Sequence, residues 1–222
     1  MKKNSTVLLL FLLIIILTTF YPNNLNPGFQ FFKIKQIEVK NLKFLEKKKI
    51  ENQFFNELFG SSLFILDEIK IQKILKSNDF ISYLEFKKIF PSKLQIIINE
   101  KEAIAILNDK REKYYLTRDG EKIKFFENKD LEKLPNIFGK QKNFLKIYSI
   151  LMKINFPISK IKSFYYFDIG RWDILLENNA IIKLPVKNFD NSLKNFMDLD
   201  KKIDFEKYSI FDYRIKDQLI LN

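Results

Sequence analysis

The sequence predicts a mixed α+β fold behind one N-terminal transmembrane helix: a β-α-α-β-β unit, then a mainly antiparallel β unit with flanking helices. Three observations predict it. Residues 5–21 carry no charge, so the run suits a hydrocarbon environment. Between 32 and 107 the apolar residues change from a spacing of two to a spacing near four and back, which reads as strands enclosing helices. Beyond that, Asp119-Gly120 and Asn178-Asn179 each separate two apolar runs, the signature of a hairpin turn.

The uncharged run Ser5 to Tyr21 is preceded by Met1-Lys2-Lys3-Asn4. As a helix it spans about 25 Å, the short end for a bilayer. Lys2 and Lys3 flank one side, and no Lys or Arg follows until Lys33, so positive-inside asymmetry keeps residues 1–4 in the cytoplasm. Val7, Leu10, Leu13, Ile16 and Phe20 are the expected lipid-facing anchor. A cleavable signal peptide is the rival reading. It calls for small residues after the apolar stretch, whereas Phe20-Tyr21-Pro22 stands there and the first alanine is Ala103. Residues 22–31, with Pro22, Pro27 and Gly28, read as a linker.

In the first unit, residues 32–107, Phe32 to Lys40 reads as a strand with Ile37 and Val39 on one face. Asn41 follows as a residue that tolerates a left-handed turn. Ile50, Phe54 and Leu58 form the stripe of an amphipathic helix that stops before Gly60. Asp67 caps a second helix with Ile71, Ile74 and Leu75 inward. Tyr83 to Ile89 is a strand, Pro91 a turn, and Leu94, Ile96 and Ile98 alternate along another strand.

The second unit, residues 108–222, opens with a hairpin of Tyr114 to Thr117 and Ile123 to Phe126 about Asp119-Gly120. Leu134 to Gly139 reads as a turn before a helix in which Phe144, Ile147, Tyr148 and Leu151 share a face. Trp172 to Leu176 and Ala180 to Leu184 form a second hairpin. Leu193, Phe196 and Met197 mark another helix, and Ile210 to Arg214 and Gln218 to Leu221 are the last strands.

Composition narrows the function. There is no histidine and no cysteine, which removes the commonest general base, every thiol nucleophile and nearly every zinc or iron–sulfur site. The five glycines are dispersed, so a phosphate-cradling loop is not expected. Net charge is +12, but the lysines are scattered. The densest run, Lys47-Lys48-Lys49, sits beside Glu46 and Glu51 as the solvated face of a helix, so no nucleic-acid site is expected. The carboxylate pairs Glu100 with Glu102 and Asp119 with Glu121 share a strand face by spacing. In a chain this rich in acids such pairs arise by chance, and Asp119 is explained by its turn. No catalytic residue, metal ligand, cofactor or small-molecule substrate is expected.

The stretch Phe80 to Glu100, with its strand, the basic pair Lys87-Lys88, the Phe90-Pro91 turn, a second strand and a closing glutamate, resembles the POTRA domain of the FtsQ/DivIB family of bacterial cell-division proteins. Gly60 with Leu63, and Asp67, match as well. Asn41 and Ala103 stand where the family usually has glycine and proline. Leu116-Thr117-Arg118-Asp119-Gly120, Leu134-Pro135 with Gly139, Arg171 to Leu176 and Phe211-Asp212-Tyr213-Arg214 resemble the family's β domain. Asn179-Ala180 and Pro185 depart from its usual glycines. The set is in family order over nearly the whole chain.

The resemblance implies an inner-membrane divisome scaffold, not an enzyme, with its folded part in the periplasm at the division septum. It would bind the FtsB–FtsL pair through the C-terminal part of the β domain, linking early and late division proteins. The strand Gln218, Leu219, Ile220 and Leu221 is the expected docking edge, since an edge offers free N–H and C=O groups. Arg171 and Arg214 match family arginines near that surface. Arg214 is equally well read as a structural salt bridge to Asp212 or Asp217. By resemblance the POTRA-like unit helps localise the protein, and its own free edge is a second docking place. The tail of residues 1–4 is shorter than in many members, so signalling is expected to run through the extracytoplasmic part. The alternative is a membrane-anchored POTRA-containing adaptor for protein export or envelope assembly. A membrane-anchored hydrolase is a weaker third class.

Overall fold

The alternating strand segments after residue 32 build two sheets, and the long apolar stripes build the helices that cover them. The computed structural model describes residues 2–19, 32–110, 112–200, 202 and 207–222. Helix α1 runs Lys2–Thr19. Its described side chains, from Val7 to Thr18, are all exposed, and the Thr18 hydroxyl donates to the Ile14 carbonyl at 2.9 Å. Among the described residues no helix is long and apolar enough to cross a membrane. Phe20 and the linker 22–31 lie outside the described residues.

The rest divides into two compact units, one holding Glu46–Ser77 and Leu84–Ile98 with the residues up to Asn41, the other holding Leu42–Leu45, Asn78–Tyr83 and the chain from Asn99. The elements β1 (Gln36–Lys40), α2 (Lys47–Leu58), α3 (Glu68–Ser77), β2 (Ile81–Ile89) and β3 (Lys93–Glu100) follow in the expected order, the start of β2 and the end of β3 being counted with the second unit. The sheet order is β1-β3-β2, with β1 and β3 parallel. Leu94, Ile96 and Ile98 on the central strand and Ile50, Phe54 and Leu58 on α2 are almost fully buried. Each such side chain contributes about 1.5–3 kcal/mol by leaving water. Asp67 accepts the Lys70 N–H at 3.2 Å, the N-cap its position predicts. Asn41 takes φ +66°, and its Nδ2 donates to the Ile98 carbonyl at 3.1 Å.

The second unit holds β4 (Ala103–Asp109), β5 (Glu112–Thr117), β6 (Lys122–Lys124), β7 (Asn136–Phe138), α4 (Gln141–Lys153), β8 (Ile161–Phe167), β9 (Arg171–Leu176), β10 (Ile181–Lys183), α5 (Phe189–Leu199), β11 (Ile210–Asp212) and β12 (Ile220–Leu221). One nine-stranded sheet runs β12-β11-β10-β9-β8-β7-β4-β5-β6. The hairpins β5–β6 and β9–β10 are antiparallel, with Gly120 and Asn179 at positive φ in their turns. The pairs β4–β7, β7–β8 and β10–β11 are parallel. Helices α4 and α5 contribute Phe144, Ile147, Leu151, Leu193 and Phe196 to a core with Phe164, Ile174, Ile182 and Phe211. Alternation along β4 sends Ala105 and Leu107 to that core and Ile106 to a second cluster with Phe80, Tyr115, Ile123 and Leu131.

Three local differences from the sequence reading follow from missing periodicity. Residues 103–107, read as the end of the first unit, belong to β4 of the nine-stranded sheet. Ile104-Ala105-Ile106-Leu107 is buried on both faces, so it shows no alternation that would mark a strand. The turn predicted over Leu134 to Gly139 contains β7, a strand too short to show a pattern. Residues 218 and 219 precede the last strand, which is Ile220–Leu221 alone, because Gln218 closes a turn by donating its N–H to the Ile215 carbonyl at 3.3 Å.

Candidate functional site

At one edge of the nine-stranded sheet, β12 pairs antiparallel with β11, Phe211 opposite Leu221 and Asp212 opposite Ile220. Asn222 is the hydrogen-bonded partner there: its N–H donates to the Ile210 carbonyl at 3.1 Å and its carbonyl accepts the Ile210 N–H at 2.8 Å. Hydrogen-bonded and non-bonded positions alternate along an antiparallel pair, so the N–H and C=O of Leu221 point outward from the sheet. Ile220 is 39% exposed, while Leu219 and Leu221 pack against the main core. The edge is thus apolar beneath, and among the described residues no strand pairs with its outer side.

Beside it lies a groove of about 790 Å³ whose walls include Val186, Asn191, Asn195, Tyr213, Arg214 and Leu219. Tyr213 is buried and donates its hydroxyl to Asn195 Oδ1 at 2.9 Å, which ties the strand end to α5. Arg214 reaches into this groove and also pairs with Asp212: Nε donates to Oδ1 and Oδ2 at 2.9 Å, and Nη2 to Oδ2 at 2.5 Å. The Asp212 side chain is 9% exposed and that of Arg214 45%. The guanidinium hydrogen bonds hold the Asp212 carboxyl below the usual range. The structure thus shows the salt-bridge reading of Arg214, paired with Asp212, and leaves its side chain 45% exposed at the groove.

Arg171 sits differently. Its Nε lies 3.2 Å from Asp173 Oδ1, its guanidinium stacks 4.2 Å from the Phe167 ring centre, and its side chain is 16% exposed. Neither of these two buried atoms has a well-aligned hydrogen bond, so the pair is held by charge rather than by geometry. Burial pushes the Asp173 carboxyl up, against the opposing pull of Arg171, Lys183 and Arg214. Two registers join the arginines: Lys183 lies opposite Asp173 on β9 and beside Asp212 on β11. Residues two apart on a strand share a face, so Arg171, Asp173, Lys183, Asp212 and Arg214 form one row of alternating charge across three strands. Sequence reasoning took the arginines singly. The mirrored patterns Arg171-Trp172-Asp173 and Asp212-Tyr213-Arg214 carry the row, and only the register of β10 adds Lys183.

Three of the four carboxylates weighed for catalysis have partners elsewhere, and Asp119 lies in the turn that the Gly120 N–H closes on the Thr117 carbonyl at 3.0 Å. Glu100 accepts backbone N–H groups, Glu102 lies 3.4 Å from Arg118, and Glu121 lies 2.6 Å from Lys101. Among the described residues no group of three or more carboxylates is placed to hold a metal ion.

A small sheet with two covering helices, and a second sheet that ends at β12 beside a groove, define a two-unit α+β class. The comparisons narrow the class. Residues 105–214 match the family model "Cell division protein FtsQ/DivIB, C-terminal", and residues 32–101 match "POTRA domain, FtsQ-type". The cell division protein FtsQ of Rickettsia bellii is 28% identical over 208 residues, covering 90% of this chain and 75% of its own. That of Bradyrhizobium diazoefficiens is 26% identical over 168 residues, covering 72% and 48%. Among solved structures, the major extracytoplasmic domain of the trans isomer of the cell division protein DivIB from Geobacillus stearothermophilus covers 48% of this chain and 99% of its own at 13% identity and TM-score 0.33. The chain belongs to the FtsQ/DivIB family of cell division proteins, which are non-enzymatic and work through protein partners of the division machinery.

Proposed function

We propose that this chain is a divisome scaffold of the bacterial inner membrane, anchored by residues 5–21 with residues 1–4 in the cytoplasm and the folded units in the periplasm. It binds FtsB/FtsL-type partners at the rim formed by Gln218, Leu219, Ile220 and Leu221, linking early and late division proteins and helping to control septum formation. The observation that carries the reading is the outward-facing backbone of Leu221 in β12, next to the Arg214 groove. A partner strand added there meets free hydrogen-bonding groups, an apolar floor and an exposed guanidinium suited to an acidic residue. Arg171 acts through the charge row, since its own side chain is largely covered. The apolar side chains of α1, from Val7 to Leu17 each 45–69% exposed, support the anchor, because such a surface calls for an apolar environment.

The test is capture of FtsB/FtsL extracytoplasmic segments by the full chain in detergent, with and without residues 218–222. Capture that disappears on deletion, with the melting profile of the rest retained, supports the reading. Equal capture by both overturns the edge as the site.

A further inference from the structure

We propose that the end of the first unit at which the chain enters from residue 31 is a membrane-contacting surface, seated on anionic lipid headgroups through Phe32, Phe64 and Phe90. The proposal rests on the membrane-anchor reading and goes beyond it by giving a folded surface a lipid partner. Three separate stretches meet here. The Leu63 N–H donates to the Phe32 carbonyl at 2.8 Å, the Ile34 N–H to the Ser61 carbonyl at 2.9 Å, and the Lys35 N–H to the Ser92 carbonyl at 2.8 Å. These bonds gather the phenylalanines into one cluster, with ring centres 4.9 Å apart for Phe32 and Phe64, 5.6 Å for Phe32 and Phe90, and 5.3 Å for Phe64 and Phe90.

The cluster is not a core. Phe64 is 43% exposed, Phe90 52% and the adjoining Ile65 62%. Folding this unit leaves the Phe64 and Phe90 rings and Ile65 partly exposed around a half-buried Phe32, an arrangement that marks a contact surface. The occupant is indicated by charge and by chain length. The stretches 32–35, 60–65 and 87–93 contain Lys33, Lys35, Lys87, Lys88 and Lys93, and no Asp or Glu. Lys93 is occupied by Glu38 at 2.7 Å, and the Lys88 ammonium donates to the Phe64 carbonyl at 2.5 Å. Aromatic rings among lysines suit the bilayer interface, where rings sit at headgroup level and ammonium groups meet anionic lipid. Residues 20–31 join α1 to Phe32, and a chain of that length reaches at most about 40 Å, so the cluster stays within reach of the membrane that holds the anchor.

The chain has no cysteine, so single-cysteine variants can be spin-labelled in the full-length protein. Phe64→Cys, Phe90→Cys and, for the anchor, Leu10→Cys are reconstituted in vesicles of phosphatidylcholine with or without phosphatidylglycerol. Collision with oxygen and with a water-soluble nickel chelate then reads depth. The expected result is a deep label at 10 and interfacial labels at 64 and 90, about 5–10 Å into the headgroup–acyl boundary, with nickel accessibility at 64 and 90 several-fold lower in the anionic vesicles. A deep label at 10 with labels at 64 and 90 freely reached by nickel overturns the surface and leaves the anchor standing. A label at 10 open to nickel overturns both. Labels at 64 and 90 that are shielded yet broadened by a neighbouring label identify a contact between copies and overturn the lipid assignment.

Discussion

Glu100 is the clearest place to test how one carboxylate holds a backbone segment. Its Oε2 accepts the N–H groups of Lys43 and Phe44, each at 3.0 Å, and its Oε1 accepts that of Leu45 at 2.9 Å. Residues 42–45 have no strand or helix of their own, so these donors depend on the carboxylate. A hydrogen bond to a charged group contributes roughly 1.5–3 kcal/mol when buried and about 1 kcal/mol near solvent. Glu100→Ala removes all of them and is expected to cost roughly 3 kcal/mol, a fall of about 6–12 °C in the melting temperature of the unit. Glu100→Gln keeps one carbonyl oxygen but turns an amide NH2 toward donors, so about half of that loss is expected. Thermal unfolding by calorimetry gives the cost. Amide hydrogen exchange gives the location: protection should vanish at Phe44 and Leu45 and persist in β3. An alanine variant that melts with the wild type and keeps those amides protected would refute the reasoning.

Leu221→Pro removes an N–H that points outward while leaving the bonds of Asn222 to Ile210, so partner capture should fall at least about tenfold with the melting temperature within a few degrees; equal loss of fold and capture counts against the outward geometry. Gly139→Ala places a methyl 2.4 Å from Tyr166 Cβ, and about 2 kcal/mol of destabilisation is expected in a denaturant titration. Gly60→Ala meets open space and should cost about 1 kcal/mol, for its φ of +73° alone. Glu38 is held down to about 2, first by the Lys93 hydrogen bond at 2.7 Å and then by that of Gln95. Its folded value lies below its unfolded one, so it supports folding above the ordinary carboxylate range and loses that support as pH falls toward 2. Lys93→Met should move the Glu38 titration, followed by carbon NMR, upward and shift acid unfolding to higher pH. Asp173 is raised instead, so its contribution carries the opposite sign and fades as pH rises through its folded value.

The sequence was legible where one face of an element is buried and the other is wet. Ile50, Phe54 and Leu58 announced α2, and Phe144, Ile147, Tyr148 and Leu151 announced α4; all are buried. Turn chemistry placed Gly120 and Asn179 correctly, because few residues tolerate the positive φ found there. Strands buried on both faces were not legible: β4 carries no alternation, and β7 is too short for one. Of the candidate site, Arg214 and the last strand were visible as residue types. Their meaning was not, since the charge row depends on the parallel pairing of β10 with β11, a register set by the chain between Leu184 and Ser209 and by no local pattern.

The two edges of the nine-stranded sheet are unlike. At the far edge, β6 is Lys-Ile-Lys: Lys122 is pinned to Asp109 at 2.8 Å and lies 5.3 Å from the Tyr114 ring centre, and Lys124 is exposed. Lysines along a rim repel an incoming strand, whereas β12 is Ile-Leu. Growth of this sheet is therefore one-sided. A strand that adds at β12 ends the series, because the opposite rim offers no place for the next molecule. If the proposed docking at β12 holds, the complex formed there is expected to have a fixed count and not to propagate into fibres, which sets a stoichiometric ceiling on that assembly.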